Sequence, residues 1–182
     1  MSTPSRIAAV VHILSLAIWA ALILAAGLAA AVAFPTMKPL NPTLPEFSAY
    51  PHDHWLIAAG LVANRIFTIT DTASIALAGI AILSAFVLVT QPTPRERLLW
   101  LLALAAAAIT LAYSLAILRP RMDRNLIEFW TTARAGQVQT ADAARHRFDD
   151  DHPTASRLIS AQLAFVTLAL GTISWSLASR RP

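Results

Sequence analysis

Four long apolar stretches constrain this chain more than any other feature of its sequence. They cover approximately residues 7–34, 55–90, 98–118 and 158–178. A helix crosses the hydrocarbon core of a bilayer with about 20 apolar residues, and in lipid only helices and closed barrels satisfy their own backbone groups. The pattern therefore predicts an all-α integral membrane protein, a four-helix bundle in which residues 1–182 form a single transmembrane domain.

Composition agrees with a membrane protein and argues against a water-soluble one. Hydrophobic residues make up 57% of the chain and charged residues only 13%, whereas soluble domains carry about 25% charged residues. The sequence pI near 10.6 comes from basic residues that lie mainly beside the apolar stretches, where they orient helices and contact lipid headgroups. We therefore expect the lipid bilayer as partner and no nucleic acid. The absence of cysteine excludes disulfides and thiolate metal sites.

The connections between the stretches predict helices that extend beyond the bilayer on one side. The first connection, 35–54, carries five prolines and is predicted to be an extended loop. The long connection, 119–157, is amphipathic, and we expect the third helix to continue past Pro120 to a stop at Gly136. A second short helix is predicted over 140–150, with Asp151-His152-Pro153 as the start of the fourth span.

Charge at the ends of the spans favours an orientation with both termini in the cytoplasm, in a plasma or bacterial inner membrane. This orientation leaves Lys38 as the only basic residue of the first loop and places a basic group inside: Arg6, Arg95, Arg97, Arg180 and Arg181. A second basic group lies on the opposite side and argues against it: Arg119, Arg121, Arg124 and Arg157. Arg6 before an apolar run also resembles a signal peptide, but the run is too long for one.

Polar residues within the second stretch are candidates for an ion or proton path. Asn64, Thr68 and Asp71 are spaced to lie on one face of a helix, and an ionised carboxylate such as Asp71 is costly in lipid unless it is partnered. Arg65, on an adjacent face, is a candidate to neutralise a group on another helix. The alternative interpretation is a buried hydrogen-bonded network that fixes helix packing.

His12 lies one turn into the first stretch and is open to three interpretations. It could ligate haem or relay a proton, or it could be a neutral histidine that is hydrogen-bonded to a neighbouring helix. Haem held by two histidines needs a second histidine at the same depth, and the antiparallel arrangement provides none.

Histidines and acidic residues before the second and fourth stretches predict a metal site at one membrane face. His52 and His54 precede the second stretch, and Asp151 and His152 precede the fourth. Imidazole and carboxylate ligands suit zinc or copper. The alternative is a solvated loop in which the acidic residues lie near helix N-termini.

Function is the least constrained property of this sequence. No phosphate loop, nucleophile elbow, zincin motif or dinucleotide fingerprint occurs, so we expect a non-enzymatic protein and assign no cofactor. The leading hypothesis is transport or sensing of a small ion or metal. One alternative is a structural or assembly module that binds another membrane protein or a second copy, through an apolar face of Met122, Leu126, Phe129 and Trp130. A haem-bearing electron carrier, based on His12, is a third.

Short dispersed motifs resemble those of a known family. They comprise Val11-His12-Ile13-Leu14 with Trp19, the exit Phe34-Pro35, Arg119-Pro120-Arg121, and Phe148 followed by His152 and Ser156. This arrangement resembles the transmembrane protein 205-like family, small four-span proteins whose biochemical role is largely undefined. The resemblance implies a four-helix membrane bundle with His12, Pro120, Arg121, Phe148, His152 and Ser156 at the family-like positions. An animal member is associated with drug and platinum resistance, which implies transport or trafficking.

Overall fold

The structure is a computed structural model that describes residues 3–179, and these residues form helices and short connections without any strand. Five α-helices occur: α1 (Thr3–Leu40), α2 (His54–Leu88), α3 (Pro94–Tyr113), α4 (Arg119–Arg134) and α5 (Val138–Ala178). A π-helical turn, Ser114–Leu118, joins α3 to α4, and a short 3-10 helix covers Pro45–Phe47. The all-α fold predicted from the sequence is confirmed.

Within residues 3–179, four helical segments are long and apolar enough to cross a membrane, which agrees with the four predicted spans. They are Thr3–Leu40, His54–Leu88, Pro94–Arg134 and Val138–Ala178. At 1.5 Å per residue, the 38 residues of α1 extend over roughly 57 Å, about twice the thickness of a hydrocarbon core. The other three segments have 35, 41 and 41 residues, so all four are longer than the bilayer requires.

α1 ends later than the prolines predicted, since it continues through Pro35 and Pro39 to Leu40. Each proline removes one N–H donor from the helix, so the carbonyl groups of Ala31 and Pro35 lack the usual donor four residues later. Asn41 then adopts a positive φ of 41°, and its amide donates to the Met37 carbonyl at 3.0 Å. An asparagine in the left-handed region is a common helix ending.

The third span continues into α4 as predicted, and the π-helical turn lies immediately before Pro120. Proline cannot donate to the carbonyl four residues earlier, and a π-turn is one way in which a helix absorbs this missing bond. α4 ends where Gly136 takes a positive φ of 69°, as the sequence indicated.

The predicted break at Asp151-His152-Pro153 is wrong, because α5 runs without interruption from Val138 to Ala178 with Pro153 inside it. The helix is held on both sides of the proline. Arg121 binds Asp151 with two nitrogen–oxygen contacts, and the Ser156 hydroxyl donates to the His152 carbonyl at 3.0 Å. One tertiary contact and one contact within α5 therefore flank the proline, and the helix continues past a local breaker signal.

The residues group into two compact units. The first unit contains, of the described residues, 3–24, 70–112 and 158–179. Its interior is lined by small residues such as Ala81, Ala107 and Ala169 around two fully buried tryptophans, Trp19 and Trp100. Large apolar side chains face outward in this unit, including Leu14, Ile18, Leu83, Phe86, Leu102 and Ile109. In a membrane protein these outward side chains contact lipid.

The second unit contains Ala25–Ile69 and Tyr113–Arg157. Its core brings the connection between α1 and α2 onto one face of α4 and the first turns of α5. The buried members are Phe47, Tyr50, Ile57, Leu126, Phe129, Ala133, Ala141 and Ala144. Leu126, Phe129 and Ala133 are spaced to share one helical face, as the amphipathic pattern predicted. The proline-rich connection is thus part of a packed core.

Candidate functional site

His54 shapes the connection that precedes α2. Its Nδ1 accepts a hydrogen bond from the Leu44 amide at 3.0 Å. Because that nitrogen is an acceptor, Nε2 carries the proton and donates to the Tyr50 carbonyl at 2.9 Å. One imidazole therefore ties two distant points of the connection to the first residue of α2.

A carboxylate on α5 then joins the connection through two side chains. The Tyr50 hydroxyl donates to Oδ1 of Asp142 at 2.6 Å, and Nε2 of His52 lies 3.4 Å from Oδ2 of the same carboxylate. The His52 and Tyr50 rings meet edge to face, with centroids 5.0 Å apart. Asp142 therefore binds a phenol on one oxygen and faces an imidazole on the other.

Tyr50 is buried, whereas His52 and Asp142 reach solvent. Tyr50 is 2% exposed, and the side chains of His52 and Asp142 are 47% and 37% exposed. Burial, reinforced by the hydrogen bond to Asp142 and opposed by Arg145, raises the pKa of Tyr50 to about 12. Tyr50 therefore stays protonated and donates at every physiological pH.

A polar cavity of about 470 Å³ opens beside this group. Its walls come from the connection itself, namely Asn41, Pro42, Thr43, Tyr50, Pro51, His52, Asp53 and His54. Solvent that enters the cavity reaches the imidazole of His52 and the carboxylate of Asp53. The arrangement can exchange protons or hold a small polar solute.

The four residues predicted to bind a metal are not brought together. His52 faces Asp142, both ring nitrogens of His54 are hydrogen-bonded to backbone, and Asp151 binds Arg121. The His152 ring packs against Phe148, with centroids 6.0 Å apart. Within residues 3–179, no group of three or more histidine or acidic side chains could hold a metal ion.

The polar face of α2 has a partner that the sequence did not reveal. The Arg119 guanidinium donates to Oδ1 of Asn64 at 2.7 Å and to the Thr68 hydroxyl at 2.9 Å, and its Nε donates to Asp123 at 3.1 Å. These contacts lie in the second unit, where Asn64 is half-buried and Thr68 is exposed. Asp71, half-buried, lies in the first unit, and Arg65 is exposed.

His12 is fully buried in the first unit and both of its ring nitrogens are occupied. Nε2 accepts from the Trp100 indole at 3.0 Å, and because an indole can only donate, the proton of His12 is on Nδ1. Nδ1 lies 3.0 Å from the Ala81 carbonyl and 2.9 Å from the Ser84 hydroxyl. His12 is therefore hydrogen-bonded to neighbouring helices, which was one of the three interpretations of this residue. A haem iron would have to displace one of these contacts.

The apolar face proposed for an assembly role is covered by the chain itself. Met122, Leu126 and Phe129 are at most 8% exposed, and Trp130 packs partly buried against the core of the second unit. Phe129 stacks edge to face on Tyr50, with centroids 5.7 Å apart. The face is used for internal packing and therefore does not support an assembly partner.

Sequence reasoning missed the residues on which these clusters depend: Tyr50, Asp142, Arg119 and Trp100. The apolar and polar pattern of 138–150 gave Asp142 no distinction from its acidic neighbours. Arg119 did carry a signal, since it stands at the end of an apolar stretch where a buried carboxamide or carboxylate could need a cation. Trp100 resembled an ordinary interfacial aromatic.

The fold defines the class of protein: over residues 3–179 it is an all-α, multi-pass membrane protein with four helices long and apolar enough to cross a membrane. Comparison of the chain with protein-family models, with curated proteins and with solved structures gives no match.

Proposed function

We propose that this protein is a non-enzymatic membrane sensor of a small ion, and that the ion is the proton. The observation that carries the proposal is the placement of His52, half-exposed, 3.4 Å from the Asp142 carboxylate whose other oxygen is bound by Tyr50. Imidazole is the side chain that changes charge between about pH 5 and 8. Protonation of His52 adds an ion pair between the α1–α2 connection and α5.

The groups around His52 favour a response to protons over one to metal ions. Asp142 and Asp53 supply negative charge, the Tyr50 hydroxyl donates a hydrogen bond to Asp142, and Arg145 on α5 is a nearby positive charge that acts on Tyr50. The neighbouring imidazole of His54 is committed to backbone atoms at both nitrogens. A metal would therefore find His52 and carboxylates, without the second imidazole that the sequence suggested.

The response would be mechanical. A protonated His52 would strengthen the attachment of the connection to α5, to which the Tyr50–Asp142 hydrogen bond also contributes. An exposed ion pair contributes only about 0.2–1 kcal/mol, so it would tighten the contact of a connection that stays packed in the core of the second unit. This magnitude suits a graded sensor rather than an all-or-none switch.

Distance measurements between two spin labels test the proposal. The chain has no cysteine, so labels can be placed uniquely at Ser48→Cys in the connection and Ala143→Cys on α5, both exposed positions. In nanodiscs, we expect the distance distribution to narrow as pH falls from 8 to 5. His52→Gln should remove this change, whereas His146→Gln, an exposed histidine on α5, should retain it. A distribution that ignores pH in the parent protein would refute proton sensing here.

Ion movement through the spans is the second candidate function, and Asp71 favours it. Asp71 lies half-buried inside the apolar run of α2, and ionisable residues within spans commonly mark ion or proton pathways. Proton flux into proteoliposomes loaded with a pH-sensitive dye should fall to the background of empty vesicles in Asp71→Asn. Asp150→Asn, exposed on α5, is the matched control. Equal flux in both variants would reject the role of Asp71.

The proposal also includes the orientation of the chain in the membrane. Both termini lie in the cytoplasm, because that orientation places the short α2–α3 connection with Arg95 and Arg97 inside. On the opposite side of the membrane, Arg121 binds Asp151 and Arg147 binds Glu128. The resemblance to the transmembrane protein 205-like family accords with a four-span bundle and supplies no reaction.

A further inference from the structure

The indole N–H of Trp19, in the first unit, has no hydrogen-bond acceptor among residues 3–179. Its side chain is 0% exposed, and within residues 3–179 its Nε1 and the Nε of Arg97 are the buried side-chain polar atoms that have no hydrogen-bond partner. A buried donor without an acceptor carries the full cost of its lost hydration. Trp19 lies in an apolar span, where lipid offers no acceptor either.

The same unit contains a second tryptophan whose indole is satisfied. Trp100 is also 0% exposed, and its Nε1 donates to His12 at 3.0 Å. The two residues are equal in type and burial and differ in whether the protein supplies an acceptor. The missing partner is therefore specific to Trp19 and does not follow from burial alone.

The helix register places other buried polar side chains at the level of Trp19. α1 and α2 run antiparallel, and His12 contacts the Ala81 carbonyl. Trp19 lies seven residues after His12 on α1, and Ser74 lies seven residues before Ala81 on α2. Because the two helices run antiparallel, Trp19 and Ser74 are at the same level along the helix axes. Ser74 is 2% exposed.

A third polar side chain comes from α5. α3 and α5 also run antiparallel, and the Ser176 hydroxyl contacts Glu96 at 3.0 Å. Trp100 is at the level of His12 along the helix axes. Counted from these two contacts, Gln162 of α5 lies within about one helical turn of the level of Trp19. Gln162 is 6% exposed. An indole, a hydroxyl and a carboxamide from three helices thus share one region of the interior of the first unit.

We infer that this region is a built site for a buried water molecule, held between α1, α2 and α5. The Trp19 N–H would donate to the water oxygen, and the water would donate to the hydroxyl oxygen of Ser74 and the carbonyl oxygen of Gln162. Buried waters typically make about three hydrogen bonds to otherwise unsatisfied groups. Asp71 lies one turn from Ser74 on α2, so the water would also hydrate the part of the span that contains this carboxyl group.

Pulsed X-ray radiolysis in ¹⁸O-labelled water tests the inference on the full chain in nanodiscs, because a water held against a buried ring is a local source of hydroxyl radicals. We expect ¹⁸O incorporation at Trp19 to be several-fold faster than at Trp100, with the 71% exposed Trp175 as the accessible reference. Labelling of Trp19 as slow as that of Trp100 would overturn the inference, and no variant is needed for that outcome.

Substitution identifies the partners, and the indole resonances identify the ligand. Ser74→Ala and Gln162→Leu should each slow the labelling of Trp19 towards the rate of Trp100, while Ser160→Ala, an exposed position on α5, should leave it unchanged. In ¹⁵N-indole spectra, the Trp19 N–H should show exchange with water and the same chemical shift in chloride and gluconate buffers. A shift that follows chloride would replace the water with an anion and overturn the assignment.

Discussion

At the scale of single residues, Tyr50 attaches the α1–α2 connection to both α4 and α5. It combines an apolar contact with a polar one, because its ring packs on Phe129 and its hydroxyl donates to Asp142. The His54 imidazole holds the backbone of the connection around Tyr50, because it accepts from the Leu44 amide and donates to the Tyr50 carbonyl. The position of His52, and hence the proposed sensing, depends on this attachment.

Tyr50→Phe should lower the stability of the second unit at pH 8 by about 1–2 kcal/mol, because the hydrogen bond to a carboxylate is lost. Its pH dependence should also change. The pKa of Tyr50 rises from 10.0 to about 12, so its contribution is complete below pH 10 and is lost as pH rises through 12. Denaturant unfolding from pH 8 to 12, followed by tryptophan fluorescence, should show this alkaline loss in the parent protein but less of it in Tyr50→Phe.

Tyr113→Phe is the matched control, since this tyrosine is 41% exposed. It should reproduce the parent profile. If Tyr50→Phe and Tyr113→Phe behave alike between pH 10 and 12, the alkaline loss arises elsewhere in the protein.

At the scale of helices, irregular turns determine where the elements end and change character. The π-helical turn Ser114–Leu118 absorbs the missing donor of Pro120, which allows α4 to follow α3 without a loop. Arg119, the first residue of α4, then donates to Asn64 and Thr68 on α2. The polar face of α2 is therefore satisfied by a residue that follows directly after the turn.

Gly136 ends α4 and is closely approached by the connection. Its φ is +69°, and a Cβ at this position would lie 3.1 Å from the Cβ of Ala49. Gly136→Ala should destabilise the second unit by about 1–2 kcal/mol from the left-handed backbone alone, with the contact to Ala49 adding to this cost. Thermal unfolding in detergent, monitored by circular dichroism, measures the change.

Gly60→Ala serves as the control within the same unit. Gly60 is helical, and a Cβ there meets nothing within 4 Å, so alanine should stabilise α2 by about 0.5–1 kcal/mol. Opposite signs for the two substitutions are expected. A neutral Gly136→Ala would mean that the α4–α5 turn relaxes freely.

At the scale of the whole molecule, the two compact units contain different kinds of interior. The first unit packs small alanines and buried tryptophans, with its large aliphatic side chains facing outward. The second unit packs large aromatic and aliphatic side chains inward, as a water-soluble domain does, and surrounds them with ion pairs such as Arg147–Glu128 and Arg134–Glu46. The hydrophobic effect contributes to the second interior, whereas close packing dominates in lipid.

Phe129→Ala should therefore be far more disruptive than truncation of an outward phenylalanine. Phe129 is 5% exposed and Phe86 is 73% exposed. Loss of a buried phenylalanine costs about 3–5 kcal/mol, so limited proteolysis should cut the 41–53 connection of Phe129→Ala much faster than that of the parent. Phe86→Ala should be cut at the parent rate. Equal resistance in both variants would show that the connection is held independently of Phe129.

The sequence by itself determined the class of fold. Four apolar stretches of about 20 residues or more have the length of spanning helices, whereas barrel strands need only about 10. The spacing of Leu126, Phe129 and Ala133 set the buried face of α4. Gly136 as the stop of α4 also followed from local chemistry, because glycine adopts a positive φ without strain. Local pattern failed at Pro35 and Pro153, where the helices continue through the proline.

Only the tertiary structure decided how the polar residues are used. His52, His54, Asp151 and His152 are close in type and predicted depth, yet each has a different partner. Hydrogen bonds act over about 3 Å, and a shift of one residue along a helix turns a side chain to another face. Such a shift decides whether these four residues share one site or make four separate contacts. The pairing of Arg119 with Asn64, of His12 with Trp100, and of Tyr50 with Asp142 joins residues more than 50 positions apart, a distance over which local sequence carries no geometric information.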